Sequence, residues 1–394
     1  MKILFFIPYT SSNYGGTSVV SRELAKKLVK YNVDVDLIST NAAGHEKLNI
    51  ILEEWIDNIS FRSQYFSCWH RNDLIFSPSL LKWLEKNIYQ YDIVHTHTIW
   101  SPLVTSVHNI CKKKRVPYVA TPHGMLEPWI LSSKSWKKKP YYKFFETPAL
   151  NQASFIQAIA PSEAETIKSL GFNNVLTIPN GVHAQDFEVP ASPNQFYECF
   201  PELVGKQLVL FLGRIHPKKG LDILADAFKR IHARFPNTHL VIAGPDNSNF
   251  LPTAKRYFYD AKCQSSVTFT GMLSGDLKYS VLAAASAYVA PSYSEGFSMS
   301  ILEGMASGLP CVITKECNFP EAVGSAYVVD ANSDKVYAAL HYIFSNPQEA
   351  LEMGKNARQM ILSEYTWDHS AKQLSQAYAS IIRSSSTSRL SSAF

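Results

Sequence analysis

Two carboxylates separated by seven residues carry the clearest chemistry in this sequence. Glu295 follows the apolar run AYVAPS, and Glu303 lies in the helical pattern that comes next. An ionised carboxylate accepts hydrogen bonds and donates none, which suits the hydroxyls of a ribose or a hexose. This spacing does not by itself bring two carboxylates face to face, as the hydrolysis of a glycoside requires. We therefore predict that both residues bind hydroxyl groups.

The residues between the two carboxylates form the predicted start of a helix. Amides of a first helical turn have no partner within the helix, and a helix N-terminus favours negative charge. We expect the amides of Phe297, Ser298 and Met299 to bind sugar hydroxyls or phosphate.

Two cations follow an earlier apolar run, in the segment FLGRIHPKKGLDIL. Arg214 comes just after the predicted strand, and Lys219 lies at the start of the next predicted helix. An arginine can bind phosphate oxygens in a bidentate manner, and a lysine can act as a point charge. This loop suits a diphosphate, although a pair of solvated surface cations would give the same pattern.

The first half offers weaker candidates. Gly15 and Gly16 precede a predicted helix, where backbone amides could meet phosphate or where a tight turn could simply need glycine. The chain contains neither G-x-G-x-x-G nor a P-loop sequence. His123 follows a predicted strand, and His95 and His97 have a metal-like spacing with no evident third ligand. We expect no metal site.

These residues lie after short apolar runs that alternate with helical patterns, which is typical of parallel α/β sheets. A Pro-rich stretch without periodicity follows PNG at 179–181 and separates two such series. We predict two doubly wound, Rossmann-like domains whose loops face a central cleft. The predicted bounds are an N-terminal domain (1–185), a linker (186–206), a second domain (207–366) and a C-terminal helix with a frayed end (367–394).

Composition agrees with a globular protein of two domains. The 394 residues are 46% hydrophobic and 18% charged, with a net charge of +5. No apolar run reaches the ~18 residues that a membrane-spanning helix needs. The start of the chain, MKILFFIPYT, has the pattern of a first strand, and six irregularly spaced cysteines indicate no disulfide framework. We expect a cytoplasmic protein that does not bind nucleic acid.

Four segments together resemble glycosyltransferase family four, the retaining GT-B enzymes. They are TPHGM, PNGV, GRIHPKKG and PSYSEGFSMSILEGMASGLPCVIT, which includes the E-x7-E pattern. The resemblance extends over essentially the whole chain. Ser298 departs from it, because many members have a glycine at that position.

The resemblance implies that the first domain lies on the acceptor side, that the second binds the nucleotide sugar, and that the C-terminal helix crosses back to the first domain. It also implies a role for each matched position. Arg214 and Lys219 would hold the diphosphate, Glu303 the ribose hydroxyls and Glu295 the donor sugar. The amides of 296–299, which are those of Gly296, Phe297, Ser298 and Met299, would bind donor-sugar hydroxyls. Gly15 and Gly16 would approach the diphosphate, and His123 would lie beside the primary hydroxyl of the donor.

The activity implied is a retaining, metal-independent transfer of a hexosyl group from a nucleotide-diphosphate sugar, with no cofactor. UDP-glucose is the leading donor, and a saccharide or lipid-linked saccharide of a polysaccharide pathway is the expected acceptor. A sugar-nucleotide epimerase of the same fold and a non-catalytic sugar-nucleotide binding module remain alternatives.

One segment suggests a peripheral contact with an anionic membrane surface. It interleaves aromatic or aliphatic residues with lysines, an arrangement that can hold rings at the headgroup level while lysines attract anionic lipid. A helix with buried aromatics and solvated lysines would give the same pattern. The residues are Trp129, Ile130, Leu131, Lys134, Trp136, Lys137, Lys138, Lys139, Tyr141, Tyr142, Phe144 and Phe145.

Overall fold

The chain forms two compact units. The computed structural model describes residues 1–11, 14, 16–71, 74–127 and 139–391. The first unit consists of Met1–Asn180 with Trp367–Phe394, and the second consists of Gly181–Thr366. The chain therefore passes from the first unit to the second between Asn180 and Gly181.

The first unit is built on a mostly parallel sheet with helices in the connections. Its helices within the described residues are α1 (Thr17–Leu28), α2 (Pro78–Asn87), α3 (Pro102–Lys114), α4 (Thr147–Gln152) and α5 (Pro161–Ser169). A π-helical turn, Tyr142–Glu146, leads directly into α4. Its strands are β1 (Lys2–Phe6), β2 (Asp34–Thr40), β3 (Ala42–Ala43), β4 (Glu46–Lys47), β5 (Trp55–Asp57), β6 (Arg62–Phe66), β7 (Trp69–Arg71), β8 (Leu74–Phe76), β9 (Ile93–His97), β10 (Tyr118–Thr121), β11 (Phe155–Ala158) and β12 (Val175–Thr177).

The order of the main sheet identifies where a ligand should bind. It runs β12-β11-β10-β9-β1-β2-β6-β5 among the described residues. Strand β1 pairs in parallel with β2 on one side and β9 on the other. The direction of winding reverses between β1 and β9, and open α/β sheets bind ligands at such a point, beyond the carboxyl ends of the strands.

Strand β6 lies in this sheet although the sequence analysis did not predict it. Its sequence RSQYF begins with three polar residues, and each of their side chains finds a partner of its own. The guanidinium of Arg62 binds both carboxylate oxygens of the buried Asp36 at 2.9 and 2.7 Å. The amide of Gln64 donates to the carbonyl of Glu53. Hydrophobic periodicity therefore carries no signal for this strand, and β5 pairs with it antiparallel.

The second unit is a smaller parallel sheet. Its helices are α6 (Asn194–Cys199), α7 (Leu221–Arg234), α8 (Leu251–Asp260), α9 (Gly275–Ala284), α10 (Met299–Ala306), α11 (Ser333–Ser345) and α12 (Pro347–Glu364). Its strands are β13 (Gln207–Leu212), β14 (Thr238–Ala243), β15 (Val267–Gly271), β16 (Ala285–Ala290), β17 (Cys311–Thr314) and β18 (Tyr327–Val329). The order β15-β14-β13-β16-β17-β18 is that of a Rossmann sheet, 3-2-1-4-5-6. Its switch point lies between β13 and β16.

Residues 186–206 are part of the second unit, whereas the sequence analysis made them a linker. Phe196 and Leu203 are fully buried. The backbone amide of Phe196 donates to the hydroxyl of Ser280 on α9 at 2.8 Å. A few anchoring apolar residues therefore fold a Pro-rich stretch onto the unit without producing a periodic pattern.

The C-terminal helix, Trp367–Ser391, belongs to the first unit and packs against α1. The carboxylate of Asp368 in its first turn pairs with Lys27 at 2.8 Å and Lys30 at 2.7 Å. Tyr378 is fully buried. No helix in the described part of the chain is long and apolar enough to cross a membrane.

Candidate functional site

The second unit brings two predicted loops together at its switch point. Strand β13 leads into the loop that holds Lys219, and β16 leads into the loop that holds Glu295. Gly220 has φ +66, and a Cβ there would lie 1.9 Å from the carbonyl oxygen of Pro291. The backbone amide of Tyr293 donates to the carbonyl of Lys218 at 2.7 Å. The first loop therefore lies directly against the second.

This contact places a buried ion pair at the switch point. The ammonium of Lys219 donates to Oε1 of Glu295, and the two side chains are only 10% and 9% exposed. Ser292 donates to the same oxygen at 2.9 Å, and the ammonium of Lys218 lies 3.9 Å from Oε2. The two loops thus converge on one carboxylate.

The carboxylate of Glu295 stays ionised although it is buried. Burial alone would raise the pKa of Glu295, but the positive charges of Lys219 and Lys218 outweigh it and hold that pKa below its ordinary value. Burial lowers the pKa of Lys218, and the cations of Lys219 and Arg214 add to this. The site is therefore a concentration of positive charge around one ionised acceptor.

Several residues that the sequence analysis did not single out fix the Glu295 loop. The backbone amide of Glu295 donates to the carbonyl of Glu316 at 2.8 Å, and the side-chain amide of Asn318 donates to the carbonyl of Glu295 at 2.5 Å. Thr314, at the end of β17, donates to the carbonyl of Ser292. These residues lie at or just after the ends of strands, at the carboxyl edge of the sheet, and this position is the feature of the sequence that could have identified them.

The segment after Glu295 has the predicted helix start. Helix α10 begins at Met299 with Ser298 as N-cap, and the Ser298 side chain makes no capping bond. Gly296 is half-buried, whereas Phe297 is buried and its ring packs against Phe319 and Tyr365. The Phe297 side chain is therefore part of the core, and only its backbone amide can serve a ligand.

Glu303 and Arg214 lie outside the ion pair. The carboxylate of Glu303, the fifth residue of α10, accepts from the ammonium of Lys278 on α9 at 2.7 Å. The sequence analysis missed Lys278. Arg214 is exposed, and its guanidinium has no partner among the described residues. The structure thus joins Lys219 to Glu295, places Glu303 on the next helix with its own cation, and leaves Arg214 directed to solvent.

The first unit has its candidate residues in the loops after β1 and β10. Gly15 lies outside the described residues. Gly16 is the N-cap of α1, and its carbonyl accepts from the amides of Val19 and Val20. The rings of Tyr9 and Tyr14 in the same loop stack at 3.9 Å.

His123 is held in an unusual backbone conformation. Its φ is +55, and Gly124 follows with φ +77. The amide of Gly124 donates to Oε1 of the buried Glu163 at 2.6 Å, and the amide of Ile159 donates to Oε2 of that carboxylate. Nε2 of His123 lies 3.1 Å from Nδ1 of His97. Left-handed conformations of residues other than glycine are strained and cluster at functional sites.

The loop after β9 shows the same kind of strain. Thr98 and Trp100 have φ +76 and +65. The amide of Trp100 donates to Oε1 of Glu146 at 2.7 Å, and its indole donates to the carbonyl of Met125 at 2.9 Å. Burial raises the pKa of Glu146 to about 7. Strained backbone in the loops that follow β9 and β10 therefore lies at and next to the switch point of this sheet.

His95 and His97 are the pair whose spacing resembles that of metal ligands. Among the described residues, no group of three or more His, Cys, Asp or Glu side chains is arranged to hold a metal ion. Burial lowers the pKa of His95 to about 3 and that of His97 well below its ordinary value. Both imidazoles are neutral at physiological pH.

Known families match both units. Residues 14–186 match the family described as Glycosyltransferase Family 4, and residues 200–360 match Glycosyl transferases group 1. The chain is therefore a GT-B glycosyltransferase, with two Rossmann-like domains. Within that class it belongs to the family-four type.

Relatives and solved structures agree with this assignment. The chain is 25% identical over 383 residues to an uncharacterized glycosyltransferase of Methanocaldococcus jannaschii, covering 92% of this chain and 94% of that one. It is 24% identical to O-antigen chain mannosyltransferase C of Escherichia coli, covering 98% and 100%. A structure of Anabaena HepE in complex with UDP and glucose has a TM-score of 0.75 at 18% identity, with 96% and 100% covered.

Proposed function

We propose that this glycosyltransferase retains anomeric configuration and moves a hexosyl group from a nucleotide-diphosphate sugar to a saccharide or lipid-linked saccharide in polysaccharide biosynthesis. UDP-glucose is the leading donor. The observation that carries the proposal is the buried pair of Lys219 and Glu295 at the switch point of the second sheet.

The cations of this loop would stabilise the leaving group. As the bond between the sugar and the diphosphate breaks, negative charge develops on the departing phosphate oxygens. Lys219 is already oriented by Glu295, and the exposed Arg214 has its guanidinium available for a second phosphate oxygen. Preorganised positive charge of this kind lowers the barrier without a metal ion. We propose that the reaction needs neither a metal nor a cofactor.

The carboxylates would orient the donor. Glu295 accepts from Lys219 and Ser292 through Oε1, so that Oε2 is the oxygen that could accept from a sugar hydroxyl. Glu303 would accept from the ribose hydroxyls in competition with Lys278. The amides of 296–299 would donate to the sugar.

In the first unit, the part-exposed His123 would lie beside the primary hydroxyl of the donor, and Gly15 and Gly16 would approach the diphosphate. The acceptor hydroxyl would attack the face from which the nucleotide leaves, through an oxocarbenium-like state. Its proton would pass to the departing phosphate oxygen as the bond between that oxygen and the anomeric carbon breaks. No dedicated nucleophile is needed for such a reaction.

Two relatives support the donor and the pathway. The mannosyltransferase of Escherichia coli is described as acting on an O-antigen chain, and HepE of Anabaena was solved with UDP and glucose. Both facts concern those proteins, and they make a UDP-sugar and a polysaccharide acceptor the first substrates to test.

A contact with anionic lipid is a further part of the proposal. Residues 128–138 of the candidate segment lie outside the described residues. In the remainder, Phe144 and Phe145 are 67% and 49% exposed, and the ammonium of Lys143 lies 6.0 Å from the centre of the Phe144 ring. Exposed aromatic rings beside a cation suit the headgroup region of a membrane.

Vesicle binding tests the membrane contact. Binding to anionic vesicles should weaken steeply as salt rises, because attraction to the surface fades within a Debye length of ~8 Å at physiological ionic strength. Phe144→Ser with Phe145→Ser should weaken it further, whereas Leu351→Ser, an exposed apolar residue of the second unit, should not. Equal binding of all three proteins would contradict the proposal.

Turnover tests the reaction. Nucleotide sugars should be screened by thermal shift, since a ligand at 100 times its Kd stabilises by ~2.7 kcal/mol. The best donor is then incubated with lipid-linked saccharides, and the anomeric configuration of the product is read by NMR. Inversion would contradict retention. Epimerised nucleotide sugar, or tight binding without turnover on any acceptor, would favour an epimerase or a binding module.

A further inference from the structure

Three imidazoles stand in a row at the carboxyl end of the first sheet. His95 and His97 extend from the same face of β9, and their rings stack at 4.5 Å with an interplanar angle of 18°. His97 stacks in turn on His123 at 5.3 Å and 24°. Phe5 lies edge-on to both His95 and His97. Burial lowers the pKa of His123 to about 3, so all three rings are neutral and each carries one ring N–H.

The hydrogen bonds of His95 are fully assigned by its neighbours. The side-chain nitrogen of Gln157 donates to the carbonyl of Ile178 at 3.0 Å, so its oxygen accepts from Thr121 at 3.1 Å. The hydroxyl of Thr121 therefore accepts from Nε2 of His95 at 2.6 Å, and Nδ1 of His95 accepts from the hydroxyl of Tyr378 at 2.5 Å. His95 has no hydrogen-bonding capacity left for a ligand.

His97 has only one of its two nitrogens satisfied. Its Nδ1 faces Nε2 of His123 at 3.1 Å, and its own Nε2 is buried without a partner among the described residues. If the proton were on Nε2 of His97, a buried N–H would be left unsatisfied. Orphaned buried N–H groups are rare, whereas an unsatisfied buried acceptor is tolerated more often. The proton therefore belongs on Nδ1, which donates to His123.

We infer that His97 is a positioning residue that holds His123 in one tautomer, with the His123 proton on Nδ1. Because Nε2 of His123 accepts from His97, the ring can meet a ligand oxygen through Nδ1 only as a donor. The class of ligand atom that it selects is thus an oxygen with a free lone pair, such as a sugar hydroxyl. This inference rests on the proposed role of His123 in binding the donor sugar.

The hydrogen bond from His97 restrains a rotation of the His123 ring that the backbone leaves free. The left-handed conformations of His123 and Gly124, with the Glu163 carboxylate on the Gly124 amide, fix the main chain. They do not fix rotation of the imidazole about its side-chain torsions. The bond to His97, together with the stacking of the two rings, supplies that restraint.

The test compares two amide substitutions of His97. The side-chain nitrogen of asparagine can take the place of Nδ1, whereas that of glutamine can take the place of Nε2. His97→Asn should keep a donor toward His123, and His97→Gln should lose it. His108→Gln is the matched control, because His108 is buried in the same unit and its Nε2 donates to Thr96, which donates to the carbonyl of Val119.

The primary readout is the tautomer of His123 in the ligand-free protein. Long-range proton–nitrogen NMR spectra of histidine-labelled protein distinguish protonated from unprotonated ring nitrogens. We expect an Nδ1 proton on His123 in the unaltered protein, in His97→Asn and in His108→Gln, and a mixture of tautomers in His97→Gln. A proton on Nε2 of His123 in the unaltered protein overturns the inference even if no variant folds.

The second readout is turnover. The kcat of His97→Gln should fall roughly 10-fold, the rate equivalent of one ordinary hydrogen bond, and His97→Asn should recover most of it. Equal losses in both variants, with an unchanged His123 tautomer, would show that His97 only fills space. A changed tautomer with full turnover would instead remove His123 from the reaction, which contradicts the proposed function and not the hydrogen bond.

Discussion

At the scale of single residues, Lys219 and Arg214 have different structural roles despite their shared loop. Lys219 is buried against Glu295, whereas Arg214 is exposed. Removing one partner of a buried ion pair leaves an uncompensated charge and typically costs ~3–5 kcal/mol. Lys218 remains 3.9 Å from the carboxylate, which favours the lower end of that range.

We therefore predict that Lys219→Ala lowers the free energy of unfolding by ~3 kcal/mol, whereas Arg214→Ala changes it by no more than ~0.5 kcal/mol. Urea unfolding of the purified variants measures both. The double variant Lys219→Met with Glu295→Gln should recover most of the loss, because it removes both charges and fills the space. Equal stability of the two alanine variants would show that the pair is not buried in solution.

The sequence predicted which residue types lie at the ends of strands, but not their pairing. Glu295 was assigned to the donor sugar and Lys219 to the diphosphate, and neither assignment implies that they touch. Their contact depends on the approach of Gly220 to Pro291, two residues far apart in the chain. Lys278 was missed because a lysine within a helical pattern looks like any solvated cation.

At the scale of elements, the packing of the β13 and β16 loops depends on Gly220. A Cβ there would combine a left-handed φ with a collision at 1.9 Å against a backbone oxygen. Gly205 has a similar φ of +77 and nothing within 4 Å of the corresponding position. The two glycines therefore share the conformational penalty and differ only in the collision.

We predict that Gly220→Ala lowers the thermal midpoint much more than Gly205→Ala does. The left-handed conformation costs ~1–2 kcal/mol in both variants. The collision must additionally separate the loops that hold Lys219 and Glu295, so turnover should fall only in Gly220→Ala. Similar midpoints and turnover for the two variants would mean that the loops do not pack this closely.

The buried Glu146 at the end of the π-helical turn gives the first unit a pH-dependent contribution to stability. Burial raises its pKa in the folded protein to about 7, above the ordinary value of 4.5. Between these two values the folded protein binds the extra proton, so the free energy of unfolding falls as pH rises. The stability that Glu146 contributes at low pH is therefore lost as pH rises through about 7.

We predict that Glu146→Gln becomes increasingly stable relative to the unaltered protein between pH 5 and pH 8, by on the order of a few kcal/mol. Glutamine stays neutral and keeps an oxygen for the amide of Trp100. Glu85→Gln, which removes a half-exposed carboxylate on α2, is the control. Urea unfolding across this range measures the difference, and a difference that stays constant with pH would be the contrary result.

Hydrophobic periodicity predicted the buried strands of both sheets because those strands are covered on both faces. It failed for β6, where ionic and amide contacts replace apolar ones. It also failed for residues 186–206, where two buried side chains anchor an irregular segment. Patterns report average burial along an element, and such individual contacts do not repeat.

At the scale of the whole molecule, the central question is what stabilises the negative charge of the leaving group in the proposed transfer. Within the described residues no metal-binding cluster is found, and the cations of the β13 loop occupy the switch point. We predict full turnover in EDTA. Activity that is lost on chelation and restored by Mg²⁺ or Mn²⁺ would assign the leaving-group charge to a metal instead.

The most direct measurement is the turnover of the best nucleotide-sugar donor by Arg214→Ala, Lys219→Ala and the double variant, each checked for folding. Removing a preorganised charge partner of a transition state typically costs 10²–10³ in rate, and we predict a loss of ~10²–10³ for each single variant. Lys206→Ala, an exposed cation just before β13, is the control and should turn over normally. Near-normal turnover by the folded double variant would contradict the assignment of these two residues to the reaction.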